Sequence, residues 1–485
     1  MKDMWEDGLC PSLGSAILSP SIAPVAAASV RAPVSVRAEA AALLRIGAPL
    51  MVTQLTQMVM GFFDTVMMGR VGSDELAAVA IGTGLWHSLF LMALGVLMAL
   101  SPSVAQLQGA GQRTAIAPLV RQALWLGLVL GLLCGLGLRH LQGLLWVLGI
   151  EPKLIPLITA YLDALSWGMV PACVFMVLRL FSEGIGRTRP VLLVSLLGLL
   201  VNLVANYVLI FGHWGFPALG ARGCGLATAL GMAVLPVAML VLVVRDRRYR
   251  DYALLRAWAW PHGPTLWPLL VLGVPIGVGL FLETAVFAAV ALLLGMLGAV
   301  AAAAHQVALS VASITFMVPL GLSMATTVRV GHAIGRGDAQ AARRTGFIGI
   351  GLCAGFMVLM AVAMFTGSAV IARFYSEDMA VVTVATGLLQ LAALFQLSDG
   401  LQVGALGALR GLKDTQLPLL IVLFAYWLIA FPLAWWLGLR QGLGPSGPWI
   451  GLIVGLTTAA VLLNLRFWWL SARWVRSSPV RPDRA

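Results

Sequence analysis

Three carboxylates stand in stretches that are otherwise almost free of charge. Asp64 lies in GFFDTVMMG, Glu283 in GVGLFLETAVFAAV and Asp399 in LAALFQLSDGLQVGAL. A charged side chain inside an apolar span is costly, so its presence points to function. Glu283 and Asp399 fall near the middle of their runs, with no Lys or Arg expected at their depth to form an ion pair. An acid without a permanent counter-ion can hold a proton or a sodium ion in one state and a cationic solute in another. The bland alternative is an acid that sits protonated and packed. Asp163, the fourth acid in an apolar window, fits that alternative better. Asn202 and Asn206 in VNLVANYVLI are four apart and share a helix face. Their amides could coordinate a cation or hydrogen-bond Asp64, or simply hold two helices together.

These residues need a membrane to make sense. Of 485 residues, 60% are hydrophobic and only 10% charged, with a mean hydropathy of +0.96. Soluble domains carry roughly a quarter charged residues, so this chain has too little charge to coat a water-facing surface. Spanning the hydrocarbon takes about 20 apolar residues as helix. Spans 1–6 are expected near 46–68, 77–104, 119–138, 154–181, 190–211 and 223–244. Spans 7–12 follow near 267–296, 299–328, 344–367, 383–409, 418–438 and 448–472. The net charge of +12 does not indicate nucleic acid, because the cations sit between apolar runs, where they set orientation. Loops after even spans hold fifteen Lys and Arg, including Arg410 and Lys413, against six after odd spans. Both termini are therefore expected in the cytoplasm. The five cysteines form no C-x-x-C and read as small buried residues.

The spans form two sets of six around the polar connector RDRRYRDYALLRAWAWPHGP. Sliding the chain by 226 residues pairs Pro49 with Pro275, Gly69 with Gly295, Phe90 with Phe316 and Gly95 with Gly321. The same shift pairs Gly109 with Gly335 and Gly111 with Gly337, and a shift of 227 pairs Gly184 with Gly411. One offset held this long indicates a repeat, and six spans per repeat keep both halves in the same orientation. The fold expected is an all-α membrane protein of twelve helices in two six-helix lobes. Its divisions are a flexible tail at 1–40, an N-lobe at 41–244, a cytoplasmic basic linker at 245–266, a C-lobe at 267–472 and a tail at 473–485. Residues 1–40 lack the basic start and apolar run of a cleaved signal. Pro49 and Pro275 are expected to kink their helices at matching places.

The segments GFFDTVMMGRVGSDELAAVAIG, MALSPSVAQLQGAGQ, AAHQVALS and RVGHAIGRGD resemble the multidrug and toxic compound extrusion (MATE) family, in its NorM-like bacterial branch. The likeness runs in order from about Arg45 to about residue 470. It implies two lobes in a V around a central cavity, and export of cationic amphipathic compounds in exchange for sodium ions or protons. By this resemblance Asp64, Asn202, Asn206 and Thr228 form a cation or proton site in the N-lobe. Glu283 and Asp399 bind the coupling cation in the C-lobe, a sodium ion or a proton, with Gln306 close by. Phe395 stands where some relatives carry Tyr one turn before the second acid, so its hydroxyl is lost while the ring face remains for a cation–π contact. Asp163 has no counterpart.

The resemblance implies a monomer in the bacterial inner membrane, with small organic cations and membrane lipid as partners, no nucleic acid and no cofactor beyond the coupling ion. A lipid-linked oligosaccharide flippase shares the two-lobe plan, but its anionic substrate would favour a basic cavity. An intramembrane enzyme with Glu283 and Asp399 as a dyad is the remote alternative. No G-x-x-x-x-G-K-[ST] loop is present to run a nucleotide engine.

Overall fold

The computed structural model describes residues 35–477, apart from 148, 255, 257 and 258. Among the described residues the regular structure is helical throughout. Eleven helices are long and apolar enough to cross a membrane, and one bent pair makes a twelfth span.

Span 1 is α1 (Val36–Gly69), which begins inside the stretch expected as tail, with Ser35 capping it by accepting from the Ala38 N–H. Span 2 is α2 (Ser73–Leu97) continued by α3 (Leu100–Gly109), and span 3 is α4 (Arg113–Arg139). After the short α5 (Gln142–Val147), span 4 divides into α6 (Ile155–Ser166) and α7 (Met169–Gly184), bent by 46°. The break falls at SWGMVP, where Pro171 has no N–H to continue the ladder and Gly168 lets Ala229 and Met232 approach its backbone. Spans 5 and 6 are α8 (Arg189–Phe211) and α9 (Gly220–Arg245).

Among its described residues the linker holds one short helix, α10 (Arg247–Arg250), and folds back onto the first lobe. Arg121 donates to the carbonyls of Leu254 and Ala253 at 2.8 and 2.9 Å, and Tyr249 meets Ser182 hydroxyl to hydroxyl at 2.6 Å.

Spans 7 to 10 are α11 (Gly263–Met296), α12 (Ala299–Gly335), α13 (Ala339–Tyr375) and α14 (Met379–Gly411). Span 11 is α15 (Gln416–Leu423) and α16 (Phe431–Trp435), each followed by a wider π-helical stretch, at Phe424–Ala430 and Trp436–Arg440. Span 12 is α17 (Ser446–Ser477), which continues into the residues expected as tail. The chain stays helical through both Pro49 and Pro275. Cys173, Cys224 and Cys353 are buried and free, Cys134 is partly buried, and Cys10 lies outside the described residues.

The repeat governs how the lobes meet. A methyl group on Gly95 of α2 would strike the backbone of Gly277 in α11, and one on Gly321 of α12 would strike Met51 in α1. These contacts are images of each other under the 226-residue shift. So are Gly109 against His332 and Gly335 against Gln106. Gly111 and Gly337, paired by the same shift, both have φ +74, the left-handed conformation that favours glycine. Without side chains at these positions the helices approach backbone to backbone.

Hydrogen bonds follow the same rule. Gln106 donates to the Gly411 carbonyl at 3.0 Å, and His332 lies 2.8 Å from the Gly184 carbonyl through Nε2. One interlobe ion pair breaks the symmetry: Glu39 at the start of α1 accepts from Arg329 Nε at 3.0 Å and from Thr345 at 2.9 Å. All these contacts lie in the half of the molecule that holds the linker and the starts of α1 and α11.

Candidate cation sites

In the first lobe, α1 presents Asp64 to α8, and α8 packs on α9. Asn206 Nδ2 donates to Asp64 Oδ1 at 2.5 Å and to Asn202 Oδ1 at 3.0 Å. Asn202 Nδ2 in turn reaches Thr228 Oγ1 at 3.3 Å. Both asparagines are fully buried. The four residues expected together thus form one chain, with the four-residue spacing placing both amides on one face of α8. The two acceptors fix the orientation of the Asn206 amide and leave its Oδ1 buried with no partner. A buried polar atom without a partner is uncommon and calls for a reason.

In the second lobe, Glu283 comes from α11. Its Oε1 accepts from Gln402 Nε2 at 3.2 Å and from the Tyr426 hydroxyl at 3.1 Å, and Gln402 Nε2 also lies 2.5 Å from that hydroxyl. Asp399 sits on α14 three residues before Gln402, hence on the same face, and is 5% exposed. Its carboxylate has no hydrogen-bond partner among the described residues, and it lies within Coulomb range of Glu283. Gly400 holds α14 close against Met357 and Cys353 of α13, which keeps Asp399 inside the lobe.

Gln396, three residues before Asp399, donates to Thr315 and to Met364 Sδ. The side-chain oxygens of Gln396 and Gln402 are both buried without partners. Two carboxylates thus sit beside amide oxygens that accept nothing, an arrangement suited to a proton or a hard monovalent cation. Among the described residues no group of three or more His, Cys, Asp and Glu could hold a tightly bound metal.

Other expected members fall elsewhere. Phe395 is buried, edge-to-face with Phe287 at 6.0 Å and Trp449 at 5.9 Å, one turn from Asp399. Gln306 is not drawn into the cluster: it is exposed, and its side chain makes no hydrogen bond to either acid. Its neighbour His305 is the buried one, packed on Trp449 at 5.7 Å. Helical rotation explains this, since adjacent residues point about 100° apart. Asp163 is exposed, and only its backbone carbonyl is bonded, by Ser166.

The expectation that no basic side chain accompanies the acids needs correction. Arg410 lines the same cleft as Glu283. It lies in the last turn of α14, and because side chains tilt toward a helix's N-terminus it points back into the lobe instead of out to the loop. A second basic residue was also missed. Arg179 falls inside the expected span 4, and α7 runs on past its end to bury it with Glu183 at 2.6 Å, Arg179 also donating to Gln54 of α1 at 2.8 Å.

Tyr426 and Gln402 were likewise absent from the sequence expectation. The spacing of Gln396, Asp399 and Gln402 by threes was a readable signal for the amides. Nothing in the sequence marked Tyr426, which is placed by the π-helical stretch of span 11.

Two six-span lobes, each with a partly buried carboxylate bonded to amides, have the build of a membrane transporter. The family model described as MatE matches residues 49–208 and 275–436, one block per repeat. Multidrug resistance protein PmpM of Pseudomonas aeruginosa is 42% identical over 91% of this chain and 94% of its own length. Probable multidrug resistance protein NorM of Xanthomonas axonopodis pv. citri is 42% identical, over 86% of this chain and 92% of its own. Multidrug resistance protein MdtK of Yersinia pseudotuberculosis is 41% identical, over 89% and 96%. Among solved structures, the eukaryotic MATE transporter AtDTX14 superposes with a TM-score of 0.83 at 19% identity, covering 92% of this chain and all of that one. The chain belongs to the MATE family.

Proposed function

We propose that this chain is a secondary antiporter of the inner membrane, exporting cationic amphipathic compounds in exchange for sodium ions or protons. The observation that carries the reading is the C-lobe cluster: buried Asp399 and partly buried Glu283 beside amide oxygens that accept no hydrogen bond. Such a site is incomplete until a cation fills it. The curated relatives' names, all multidrug resistance proteins, support the substrate class.

In this mechanism the coupling cation binds Glu283 and Asp399 from outside, with Gln402 and Tyr426 orienting the first acid. Binding favours a state of lower affinity for the organic cation, which leaves outward. The lobes then rock to open inward. Asp64, with Asn206, Asn202 and Thr228, forms the corresponding N-lobe site, and the helices carrying Pro49 and Pro275 bend as the lobes move. The basic-loop bias supports cytoplasmic termini, and on that orientation the half where the lobes touch is the cytoplasmic face, closed here. A single chain suffices for both sites, so the protein acts as a monomer surrounded by membrane lipid.

The test is efflux of a cationic dye from reconstituted vesicles under sodium and proton gradients imposed separately. Efflux driven by one or both supports the reading. Dye movement indifferent to both gradients overturns it.

A further inference from the structure

Within the second lobe, between α11, α14 and α15, lies a narrow cleft of about 30 Å3. It runs from Glu283 to the loop after α14, and its wall includes Arg410, Asp414, Thr415, Pro275 and Pro418. Asp414 is engaged by Arg466 at 2.7 Å, and Thr415 by the Leu272 carbonyl at 3.0 Å. The Arg410 guanidinium has no hydrogen bond or ion pair of its own among the described residues. Glu283 lines the same cleft. Glu283 commits only Oε1, to Gln402 and Tyr426. Arg410 is partly buried, and a guanidinium held in a narrow cleft beside a carboxylate, with no bonded partner of its own, points to charge balance.

We propose that Arg410 is the built-in counter-cation of the C-lobe site, balancing one of its two carboxylates so that the pair takes up one exchangeable monovalent cation and not two. This deepens the antiport reading and rests on it. Two ionised carboxylates and one guanidinium leave a single negative charge in the lobe. One proton or one sodium ion then makes the interior neutral, the state a low-dielectric environment favours.

The groups facing Glu283 are Asp399, Gln402 and Arg410 from α14 and Tyr426 from span 11. α11 itself contributes no other titratable group, and Asp414 is held by Arg466 at the cleft mouth. Arg410 therefore acts as a positioning residue for charge, through Glu283, without touching the exported compound.

The experiment uses full-length protein in proteoliposomes and the displacement of a bound cationic dye by sodium at fixed pH and by protons without sodium. Wild type that binds no dye, or releases none to either cation, refutes the antiport reading itself. Given a responsive wild type, Arg410→Gln should lower the half-displacing cation concentration on the order of tenfold, because a repelling charge is gone. Arg410→Lys should stay near wild type.

The decisive pair keeps the idea testable even where Arg410→Gln accumulates poorly. Glu283→Gln leaves Asp399 matched by Arg410, so the C-lobe component of cation displacement should vanish. Glu283→Gln with Arg410→Gln restores the single negative charge and should bring that component back. An unchanged midpoint in Arg410→Gln at matched abundance, or a double variant as insensitive as Glu283→Gln alone, overturns the proposal.

Discussion

Removing the Glu39 carboxylate should loosen the closed face, by an amount the structure lets one work out. Glu39 accepts from Arg329 through both oxygens and from Thr345, and its side chain is 7% exposed against 25% for Arg329. Hydrogen bonds to charged groups contribute about 1.5–3 kcal/mol each, and breaking a fully buried pair costs about 3–5 kcal/mol. Arg329 is a quarter exposed, so water recovers part of its solvation. About 2–3 kcal/mol remains for Glu39→Ala, or a shift of roughly 30- to 150-fold between lobe arrangements. The loss falls on the arrangement seen here, because α1 meets α12 and α13 at this point only while the face is closed.

Spin labels at the exposed Gln112 and Gln340 span the two lobes at that face. Pulsed electron resonance should show one short separation in the parent and a new long one in Glu39→Ala, with Glu39→Gln between them. An unchanged distance distribution at equal thermal stability would refute the claim that this pair holds the lobes together.

Four further outcomes are expected. Glu283→Gln, Asp399→Asn and the double variant should each lose gradient-driven dye export to about the same extent, because residues acting as a unit are non-additive; partial defects that multiply would mean two separate sites. Asp64→Asn should impair export strongly at normal membrane abundance, and transport unchanged across the pH range would reduce Asp64 to packing. Gly95→Leu and Gly321→Leu should lengthen the Gln112–Gln340 separation alike, since they abut image-related backbones; a closed face in either variant counts against backbone-to-backbone docking. Tags at both termini should report the cytoplasm, and tags on opposite sides would sink the even-numbered span count.

The sequence made the spans, the repeat and the acids within the spans legible because each depends on hydropathy or register, which are local properties. The chain Asp64–Asn206–Asn202–Thr228 could be anticipated from one helix face and a resemblance. Tyr426 could not: its position follows from π-helical turns around Pro432, which change the face a residue presents. Arg410 was misread because loop counting treats any basic residue near a span's end as solvent-facing, whereas its stem points inward. Arg179 lay inside the expected span 4 and Glu183 just past its end, so their four-residue pairing on one helix face went unread. Gln306 is exposed while its neighbour His305 is buried, one residue being enough on a helix to change which way a side chain faces.

The image-related contacts between the lobes have the logic of a homodimer, in which residue i meets j and j meets i. Here the two protomers have been fused, and each contact at the closed face can be checked against its twin. Most twins still match, as Gly95 and Gly321 do. Where they differ, the difference is informative: the carbonyls of Gly184 and Gly411 are held by His332 on one flank and by Gln106 on the other. Glu39 adds a clasp with no image at all, because its counterpart under the shift is Thr265. A joint whose two sides were identical would have no preferred side on which to begin parting. In this chain the flanks are unequal, so the face should open like a hinged lid, the Gln106 side and the clasped side yielding in turn.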